Sequence, residues 1–508
     1  MEVAILDVGS NNIKLEVHEV DNTGNARLLY ADKVEARLGH EVFITHRLQP
    51  ENEARAIEGL SNFSKIIRNF NCKAVIAVGT AALRETDHKD FIRRAYKECG
   101  IQVKVIPGVE EARLVYLGVL AHTKFQSRDF LFIDIGGGST EVSIANENGI
   151  NLVESFRLGT VRLKELFENE DRKKSLKMIE SYVQKVIHPF VYEAEDFNYD
   201  MGMLTGGTSR NLADIVSNWP GEKVREENGN LILETAALKR VVSEITGYDI
   251  SELKKVKGLD SARADIILPG AILLITILES FKIKESIVSS YGLRDGALYN
   301  YIEKKVNKKI YFQRQGQSRK HGVDLLAKKF NVEKEHARQC SQLSLRLFEI
   351  LQGEHGLSEE YEDIMYGASL LHDSGIFIDY SQHHKHSYYL IKNSELPGFS
   401  SHEKNLVALV ARYHRKGMPK KSHAEFQSLQ DEEKSAVTRM ASILRIADAL
   451  DRSYTSAVKS LELLNSGKEE LEIAVSGKGD LSLELWSVDR KKKFFEETFK
   501  KQLKLRVI

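Results

Sequence analysis

The sequence is poor in cysteine, has no excess of charge of either sign and lacks a long uninterrupted apolar run. Its three cysteines, Cys72, Cys99 and Cys340, are scattered and odd in number. This usage argues against a disulfide scaffold and indicates a protein of the reducing cytoplasm. The 73 basic residues balance 73 acidic residues. Because the net charge is zero, a polyanion must be held by a local cluster of cations, and no nucleic-acid partner is expected.

The most apolar stretch is too short to span a membrane. Residues Ile266–Phe281 contain Pro269 and include Glu279 near their end, whereas a spanning helix needs about 20 apolar residues. We therefore predict a buried helix here and no membrane partner. Residues Met1–Asp7 are interpreted as the first strand and not as a secretory leader. The length of 508 residues, with 42% hydrophobic and 29% charged residues, predicts a soluble protein of roughly three to four domains.

Two segments share one design, in which an apolar strand leads into an aspartate and then into a glycine turn. Glycine lets backbone N–H groups curl around an anion, and an aspartate at a strand end can hold a hard cation beside that anion. One such turn is a weak signal, but two in matching contexts predict a phosphate and a metal held between two related halves. The segments are VAILDVGSNN, with Asp7, Gly9, Ser10 and Asn11, and FLFIDIGGGSTE, with Asp134, Gly136, Gly137, Gly138, Ser139 and Glu141.

The context of the two turns is also repeated. NIKLEVHEV and ARLLYADKVEARLG follow the first turn, and TEVSIANE and INLVESFRLG follow the second. Alternating apolar residues predict two further strands in each copy, and each copy closes with Arg-Leu-Gly, at 37–39 and at 157–159. We predict a duplicated strand-strand-strand-helix unit with the ligand between the copies; two unrelated meanders are the alternative.

The pattern along the chain predicts five regions. The first lobe spans 1–125, with a helix over Ala54–Phe70, and the second spans 126–300, with a further glycine turn at Leu204–Ser209. A basic joint at 301–320 is either a solvated linker or a surface that binds a polyanion. Residues 321–460 are predicted to be helical. The tail, 461–508, is predicted to form strand, strand, helix and strand, with LSLELWSV (481–488) as the second strand.

Several charged side chains near these turns are candidates for phosphoryl chemistry, which needs an aimed water, a base and neutralisation of charge. Glu141 ends the second glycine turn, and Glu110 and Glu111 open a helix after Pro107-Gly108. Carboxylates in a first helical turn also suit the helix dipole, so the spacing alone leaves a capping role equally open. Arg84 follows a predicted strand, where a surface ion pair is the alternative to a place in the cleft.

Together these segments resemble the exopolyphosphatase/guanosine pentaphosphate phosphohydrolase family. The resemblance covers about residues 1–300 and extends more loosely beyond them. It implies an α/β fold with a duplicated actin-like (ribonuclease H-like) two-lobed core, as in the actin, sugar kinase and heat-shock chaperone superfamily. It also implies magnesium-dependent release of terminal phosphate from polyphosphate or from guanosine pentaphosphate. The motifs are DVGSNN (7–12), GTAALRE (79–85), EEARL (110–114), DIGGGSTE (134–141) and GGTSRN (206–211).

Residue roles follow from this resemblance by position. Glu111 is implied as the base that activates water, and Glu141 as the residue that positions the water or the metal. Asp7 and Asp134 are implied to organise Mg²⁺, and Arg84 to counter the phosphate charge. Many members of the family carry serine where this chain has Asn12. The residues implied to hold the terminal phosphate are Ser10, Asn11, Gly137, Gly138 and Ser139.

A second constellation lies in the helical region. His336, His372-Asp373 and Asp448 occur in the order typical of HD-type phosphohydrolases, and His384, His386 and His414 lie between them. Imidazole and carboxylate groups suit a divalent metal that bridges a phosphate. Each histidine alone is more simply a packed or surface residue, but the ordered set predicts a second metal site. The predicted ligands are His336, His372, Asp373 and Asp448, with His386 and His414 as additional ligands.

The sequence therefore predicts an exopolyphosphatase or guanosine pentaphosphate phosphatase that acts as a homodimer. Long substrate is expected to follow a polyanion channel over Lys304, Lys305, Lys308, Lys309, Arg415 and Lys416. The alternatives are a bifunctional enzyme with nucleotide hydrolysis at the HD site and a sensor that binds nucleotide without chemistry. The acids Glu111 and Glu141 argue against the sensor, and no predicted sugar pocket supports a sugar kinase. The motifs do not choose between polyphosphate and guanosine pentaphosphate.

Overall fold

The structure, a computed structural model, divides into two compact units, Met1–Arg314 and Gln315–Ile508. Each unit has its own hydrophobic core, so each is described separately. The described residues are 1–123, 128–168, 170–222, 224–227, 230–306, 319–320, 322–394, 396, 399–415, 417–420 and 422–508.

The first unit begins with a five-stranded sheet in the order β3-β2-β1-β4-β5. The first three strands form an antiparallel meander, and β4 and β5 join it in parallel. Asp7, at the end of β1, pairs with Lys14 across the first hairpin. The strands are β1 Glu2–Val8, β2 Ile13–Val20, β3 Ala26–Val34, β4 Ala74–Gly79 and β5 Val103–Val105.

The second sheet repeats this topology. Its order is β10-β11-β12-β9-β6-β7-β8, in which β8-β7-β6-β9-β12 corresponds to β3-β2-β1-β4-β5. Asp134 pairs with Glu141 across the hairpin of β6 and β7, the position that Asp7 and Lys14 occupy in the first copy. The predicted duplication is confirmed. The strands are β6 Asp129–Ile135, β7 Thr140–Asn146, β8 Gly149–Phe156, β9 Tyr199–Thr205, β10 Arg225–Glu227, β11 Asn230–Glu234 and β12 Glu285–Val288.

The residues at and just after the end of each meander hold its glycine turn through backbone hydrogen bonds. The amide of Gly39 donates to the carbonyl of Ser10 at 2.7 Å, and the amide of Val161 donates to the carbonyl of Gly137 at 2.9 Å. A Cβ at Gly159 would lie 2.3 Å from the carbonyl oxygen of Gly137. Glycine is therefore required there because the end of each meander packs directly on its glycine turn.

Helices cover both sheets and complete the cores of the first unit. Apolar residues recur on one face of each long helix, such as Ile179, Val183 and Ile187, and pack on the sheet. The predicted buried helix is confirmed as Ile267–Ser280. The other helices are Val42–Thr45, Pro50–Asn69, Ala81–Arg84, Lys89–Cys99, Gly108–Leu120, Thr160–Leu166, Arg172–Ala194, Gly206–Ser217, Thr235–Ile245, Ile250–Leu253 and Leu293–Val306, with a 3₁₀ turn at Ser261–Arg263.

The helix Leu293–Val306 follows the second sheet in sequence but packs against β1. Ala297, Leu298 and Ile302 form a buried cluster with Val3 and Ile5. Residues up to 300 were assigned to the second lobe from the sequence, whereas this helix returns to the first. Among the described residues, no helix combines the length and apolar character needed to cross a membrane.

The second unit is mainly helical, and residues 322–329 form a further helical segment at its start. Its core is built from residues such as Leu347, Met365, Val407 and Leu444. The helices are Lys334–Ile350, Gln352–His355, Tyr361–Leu371, His383–Asn393, Ser401–Arg412, Ala424–Gln427 and Asp431–Ala449, with a 3₁₀ turn at Ser374–Phe377.

The end of the chain differs from the prediction. A strand was predicted at 481–488, but this segment lies in the helix Ser482–Lys491. Although Leu-Ser-Leu-Glu-Leu alternates, the buried residues are Glu484, Ser487 and Val488, which is helical spacing. A strand over Val458–Ser466 was missed, and it pairs with Glu470–Gly477, which pairs in turn with Gln502–Val507. The helix Lys493–Phe499 lies between these elements in sequence.

Candidate functional site

The two glycine turns face a common cleft of about 120 Å³ in the first unit. Asp7 and Asp134 both line it, as do the backbone and side chains of both turns. The third glycine turn also lines the cleft through Gly206, Gly207 and Thr208, because β9 lies beside β6. Predicted residues that line the cleft are Asp7, Ser10, Asn11, Glu111, Asp134, Gly137, Gly138 and Ser139.

Glu111 reaches the cleft from the start of the helix Gly108–Leu120. This helix begins against β8, where a Cβ on Gly108 would overlap the Ser155 hydroxyl. The Glu111 carboxylate accepts a hydrogen bond from Arg84 at 2.9 Å and is only 6% exposed. Its neighbour Glu110 is instead paired with Arg113 on the same helix, at 2.7 Å. The two adjacent acids therefore have different surroundings, and Glu111 is the one that faces the cleft.

Arg84 and Glu141 do not line the cleft but lie directly behind Glu111. The Arg84 guanidinium donates to the carbonyl of Ile106 at 2.9 Å and to the Ser139 hydroxyl at 3.1 Å. It also lies 3.7 Å from Glu141. The Ser155 hydroxyl donates to Glu141 at 2.7 Å, while the other carboxylate oxygen of Glu141 is buried and has no hydrogen-bond partner among the described residues. Arg84 therefore contacts both Glu111 and Glu141 and does not line the cleft.

The two buried acids differ in how readily they ionise. Burial raises the pKa of Glu111 to about 7, although Arg84 opposes that rise. Burial and the neighbouring charge of Glu111 raise the pKa of Glu141 well above its usual range. Because Arg84 is closer to Glu111, Glu111 ionises first. Glu111 is therefore the carboxylate of this pair that can accept a proton near neutral pH.

The carboxylates of the cleft fit a hard divalent cation. Oxygen atoms of Glu111, Asp134 and Glu141 lie within 4.8 Å of one another, and Asp7 lines the same cleft. Thr205 donates to Asp134 at 2.7 Å and orients it, and burial raises the pKa of Asp134. Carboxylate oxygens are the ligands that Mg²⁺ prefers, and a cation would offset the mutual repulsion of these acids.

The motif analysis did not single out four cations that line the cleft: Lys14, Arg210, Arg263 and Arg294. Lys14 is positioned by its pairing opposite Asp7, and Arg210 by the helix that begins at Gly206. Arg210 was present in the quoted motif GGTSRN, but Arg263 and Arg294 come from distant segments with no recognisable local signal. Their convergence places positive charge beside the glycine turns.

In the second unit, the predicted histidines and aspartates converge on Asp373. One oxygen of Asp373 lies 3.6 Å from His372 Nε2 and 4.0 Å from His336 Nε2. The other oxygen lies 3.2 Å from His383 Nε2 and 3.6 Å from His414 Nε2. Asp448 lies 3.7 Å from His336 Nε2. His336, His372, Asp373, Asp448 and His414 are thus brought together, as the sequence predicts.

Each imidazole of this cluster is fixed through Nδ1. The partners are Asp451 for His336 (2.8 Å), the carbonyl of Ser369 for His372 (2.6 Å), that of Tyr380 for His383 (3.0 Å) and that of Ala411 for His414 (2.7 Å). A hydrogen-bond acceptor beside one ring nitrogen, with the other nitrogen turned to a common centre, is typical of metal-binding histidines. His372 Nε2 is buried, and no residue in the described part of the chain forms a hydrogen bond with it. Burial lowers the pKa of His414 to about 3, which keeps it neutral.

The structure differs from the prediction at His386. The helix His383–Asn393 presents His383 to Asp373, whereas His386, one turn further along, packs at Gly375. Burial lowers the pKa of His384 to about 4, and its Nδ1 is buried without a hydrogen-bond partner. Asp451, Cys340 and Lys491, which also lie at this cluster, were not predicted from the sequence. Cys340 Sγ lies 3.5 Å from His336 Nε2, and Lys491 Nζ lies 2.5 Å from Asp448.

The predicted polyanion channel is only partly within the described residues. Lys304 and Lys305 are exposed at the end of the helix Leu293–Val306. Arg415, in the second unit, contacts His383 at 3.1 Å. Arg319, from the basic joint, is buried and paired with Asp363 at 3.2 Å and with Glu403 at 2.5 Å. Lys308, Lys309 and Lys416 lie outside the described residues.

Comparison with protein families gives two matches along the chain. The Ppx/GppA phosphatase family matches residues 17–305, and domain III of Ppx/GppA phosphatase matches residues 318–492. The first match begins within β2, so that β1 and the first glycine turn precede it, and it contains the remaining strands of both sheets. The second match contains the histidine and aspartate cluster.

Individual relatives agree with these matches. A guanosine-5′-triphosphate,3′-diphosphate pyrophosphatase of Photobacterium profundum is 27% identical over 87% of this chain and 84% of its own length. The protein of the same description from Aliivibrio fischeri (strain MJ11) is 26% identical over 93% and 91%. A crystal structure of an exopolyphosphatase from Cytophaga hutchinsonii is 27% identical and has a TM-score of 0.55, covering 60% of this chain and 98% of its own. The Ppx/GppA family member from Aquifex aeolicus is 26% identical, with a TM-score of 0.50 and coverages of 60% and 98%.

Proposed function

Because this chain belongs to the Ppx/GppA phosphatase family, we propose that its cleft hydrolyses a terminal phosphoanhydride bond. The enzyme releases orthophosphate from inorganic polyphosphate or removes the 5′-γ-phosphate of guanosine pentaphosphate. The observation that carries this proposal is the buried carboxylate of Glu111, held by Arg84 at the edge of a cleft lined by two glycine turns. A carboxylate in that position can deprotonate a water beside a phosphate bound by the turns.

The reaction uses the residues of the cleft in separate roles. Ser10, Asn11, Gly137, Gly138 and Ser139 hold the terminal phosphate through backbone N–H and side-chain donors. Glu111 takes a proton from the attacking water, and the P–O bond to the rest of the chain breaks as the new P–O bond forms in line. Arg84 orients Glu111 and the Ser139 hydroxyl. Glu141 lies close to the Arg84 guanidinium and helps to hold it in place.

The donor set fits magnesium. Asp7 and Asp134 would hold Mg²⁺, since both line the cleft and Asp134 lies close to Glu111 and Glu141. The ion would supply neutralisation of the negative charge on the phosphate oxygens. The cations Lys14 and Arg210 line the same cleft and add further positive charge from the protein itself.

The decisive experiment replaces the base. We expect Glu111→Gln to retain phosphate binding and to lose turnover by at least a factor of about 100, because general base catalysis contributes roughly 10²–10⁴-fold. Orthophosphate release would be measured with magnesium from long-chain polyphosphate and from guanosine pentaphosphate in parallel. Glu110→Gln is the matched control, since Glu110 pairs with Arg113 and does not line the cleft. Near-normal turnover by Glu111→Gln would remove Glu111 from the role of base.

A second activity is favoured by the cluster around Asp373. We infer that the helical unit is of the HD type and that His336, His372, Asp373 and Asp448 hold a divalent metal. His383 and His414 face the second oxygen of Asp373 and extend the ligand set. A metal there would supply Lewis-acid activation of a phosphate ester or anhydride. This site would make the enzyme bifunctional, for example by releasing pyrophosphate from a guanosine tetraphosphate.

Metal content tests the second site. We expect His383→Ala to lose divalent metal from the purified protein, because its Nε2 lies 3.2 Å from Asp373, and His386→Ala to retain it as the matched control. Inductively coupled plasma mass spectrometry gives the metal content, and nucleotide assays of Asp373→Ala show whether the metal site is catalytic. Equal metal content in both histidine variants contradicts the assignment of His383. If Asp373→Ala keeps every activity, the site is structural.

A further inference from the structure

A buried cysteine lies inside the histidine and aspartate cluster of the second unit. Cys340 is fully buried on the helix Lys334–Ile350, one turn after His336. Its Sγ lies 3.5 Å from His336 Nε2 and 3.7 Å from His336 Nδ1. Because His336 Nδ1 is already paired with Asp451 at 2.8 Å, Nε2 is the nitrogen that remains for a shared ligand. The sulfur therefore lies beside the ring that faces the centre of the cluster.

Packing alone does not explain this position of Cys340. A buried cysteine that only fills space behaves as a small hydrophobe. Cys99 is such a residue, since it belongs to an apolar core of the first unit and its thiol donates to the carbonyl of Ile57 at 3.6 Å. As far as the chain is described, the apolar core of the second unit includes Ala337 and Leu343 from the same helix but not Cys340. The thiol of Cys340 lies instead among imidazole and carboxylate groups.

Four potential ligand atoms converge at this place. One atom from each side chain lies within 4.8 Å of the corresponding atoms of the other three, and the side chains are those of His336, Cys340, His372 and Asp448. In a tetrahedral zinc site, bonds of about 2.3 Å to sulfur and about 2.0–2.1 Å to nitrogen place these two atoms roughly 3.5 Å apart. The spacing of Cys340 Sγ and His336 Nε2 matches this value. Contraction of the wider pairs by roughly 1 Å would complete the tetrahedron.

The unpaired nitrogen of His372 independently points to a ligand at this centre. His372 is completely buried, and its Nδ1 is paired with the carbonyl of Ser369 at 2.6 Å. No hydrogen bond from the described residues reaches its Nε2. A buried polar atom without a partner costs free energy, and a metal ion bound to Nε2 would remove that cost. Asp448 and Asp373 keep 13% and 11% of their side-chain surface exposed, which leaves an ion a path to the centre.

A sulfur ligand would change which ion the cluster prefers. Mg²⁺ binds oxygen ligands, whereas Zn²⁺ binds a thiolate together with imidazole and carboxylate groups. The cleft of the first unit offers carboxylates, and its described lining contains neither cysteine nor histidine. The two units therefore present different sets of donor atoms and are suited to different ions.

We propose that Cys340 is a thiolate ligand of the metal ion in this cluster, and that the ion is Zn²⁺ rather than Mg²⁺. The other ligands of this ion include His336, His372 and Asp448. The thiol releases its proton to solvent as the bond between sulfur and metal forms. This assignment rests on the metal site proposed above for the second unit and adds a ligand and an ion to it.

X-ray absorption spectroscopy of the full chain tests the assignment. One equivalent of zinc is added in excess magnesium, and we expect one sulfur neighbour about 2.3 Å from zinc, together with nitrogen and oxygen neighbours. The chain has three cysteines, so Cys72→Ser/Cys99→Ser leaves Cys340 as the only thiol and should keep the sulfur signal. Cys340→Ser should lose that signal and bind zinc at least about tenfold more weakly, since changes to the partners of metal ligands already cost this much.

The outcomes distinguish the role of Cys340 from the existence of the metal site. Zinc bound by the unmodified protein through imidazole nitrogen and oxygen only overturns the role of Cys340, while the metal site stands. If the unmodified protein retains no zinc in excess magnesium, both the site and its thiolate ligand fail. A sulfur signal that persists in Cys340→Ser also overturns the assignment. Thermal unfolding without zinc identifies a variant that does not fold, and the spectrum of the unmodified protein then decides.

Discussion

At the scale of single residues, the site depends on which of two adjacent acids faces the cleft. Glu110 and Glu111 are both in the first turn of one helix, but Arg113 binds the first and Arg84 binds the second. Sequence spacing alone did not separate a catalytic role from a capping role for either glutamate, because a carboxylate at a helix start also suits the helix dipole. The distinction comes from Arg84, which lies 27 positions away in the sequence and reaches Glu111 only in the folded protein.

The raised pKa of Glu111 predicts how activity depends on pH. Its pKa is about 7 because the carboxylate is buried, and a general base works only when deprotonated. We therefore expect kcat/KM for phosphate release, measured at constant saturating magnesium, to rise with pH between about 6 and 8. A profile that is flat across this range, or that falls, contradicts Glu111 as the titrating base. Glu110→Gln should keep the wild-type profile.

At the scale of secondary structure, the helix Gly206–Ser217 brings several of its residues to the cleft. Its first residues, Gly206 and Gly207, line the cleft, and Arg210, one turn further on, lines it as well. The helix starts directly after β9, which pairs with β6, so its N-terminal end lies against Asp134. One element therefore sets the positions of Arg210 and of the third glycine turn beside Asp134.

A methyl group at position 206 would disturb this junction. Gly206 has a φ of +83°, and a Cβ there would lie 2.7 Å from an oxygen of Asp134. We expect Gly206→Ala to lower phosphate release by at least about tenfold and to cost more than about 1 kcal/mol of unfolding free energy, since the backbone conformation is strained for alanine. Thermal unfolding and phosphate release at several magnesium concentrations provide the measurement.

The control for this substitution is Gly247→Ala. A Cβ at Gly247 meets no atom within 4 Å, so stability and activity should remain close to those of the unmodified protein. If Gly206→Ala behaves like Gly247→Ala, the junction tolerates displacement, and the placement of Asp134 by this helix is not required for activity.

At the scale of the whole molecule, two chemical centres lie in two compact units. The cleft belongs entirely to residues of Met1–Arg314, and the cluster around Asp373 belongs entirely to residues of Gln315–Ile508. Each centre has its own buried acids and its own supporting hydrogen bonds. The family matches likewise fall on either side of this division.

The duplication explains why the cleft could be recognised from one sequence. Each copy repeats a strand, an aspartate and a glycine turn within about ten residues, so short-range pattern is sufficient to find both. The pairing of Asp7 with Lys14 and of Asp134 with Glu141 then follows from the hairpin register. The predicted strand at 481–488 was wrong because burial of Glu484, Ser487 and Val488 in the second unit overrides the local alternation.

The sequence by itself determined the repeated strands, the glycine turns, the acids beside them and the order of the histidines and aspartates that meet around Asp373. These features are local, since hydrophobic period and turn chemistry act over a few residues. Tertiary structure alone decided that Arg263 and Arg294 join Lys14 and Arg210, and that His383 rather than His386 meets Asp373. Those choices depend on where separate elements pack and on how far a helix is rotated, and no short segment encodes either.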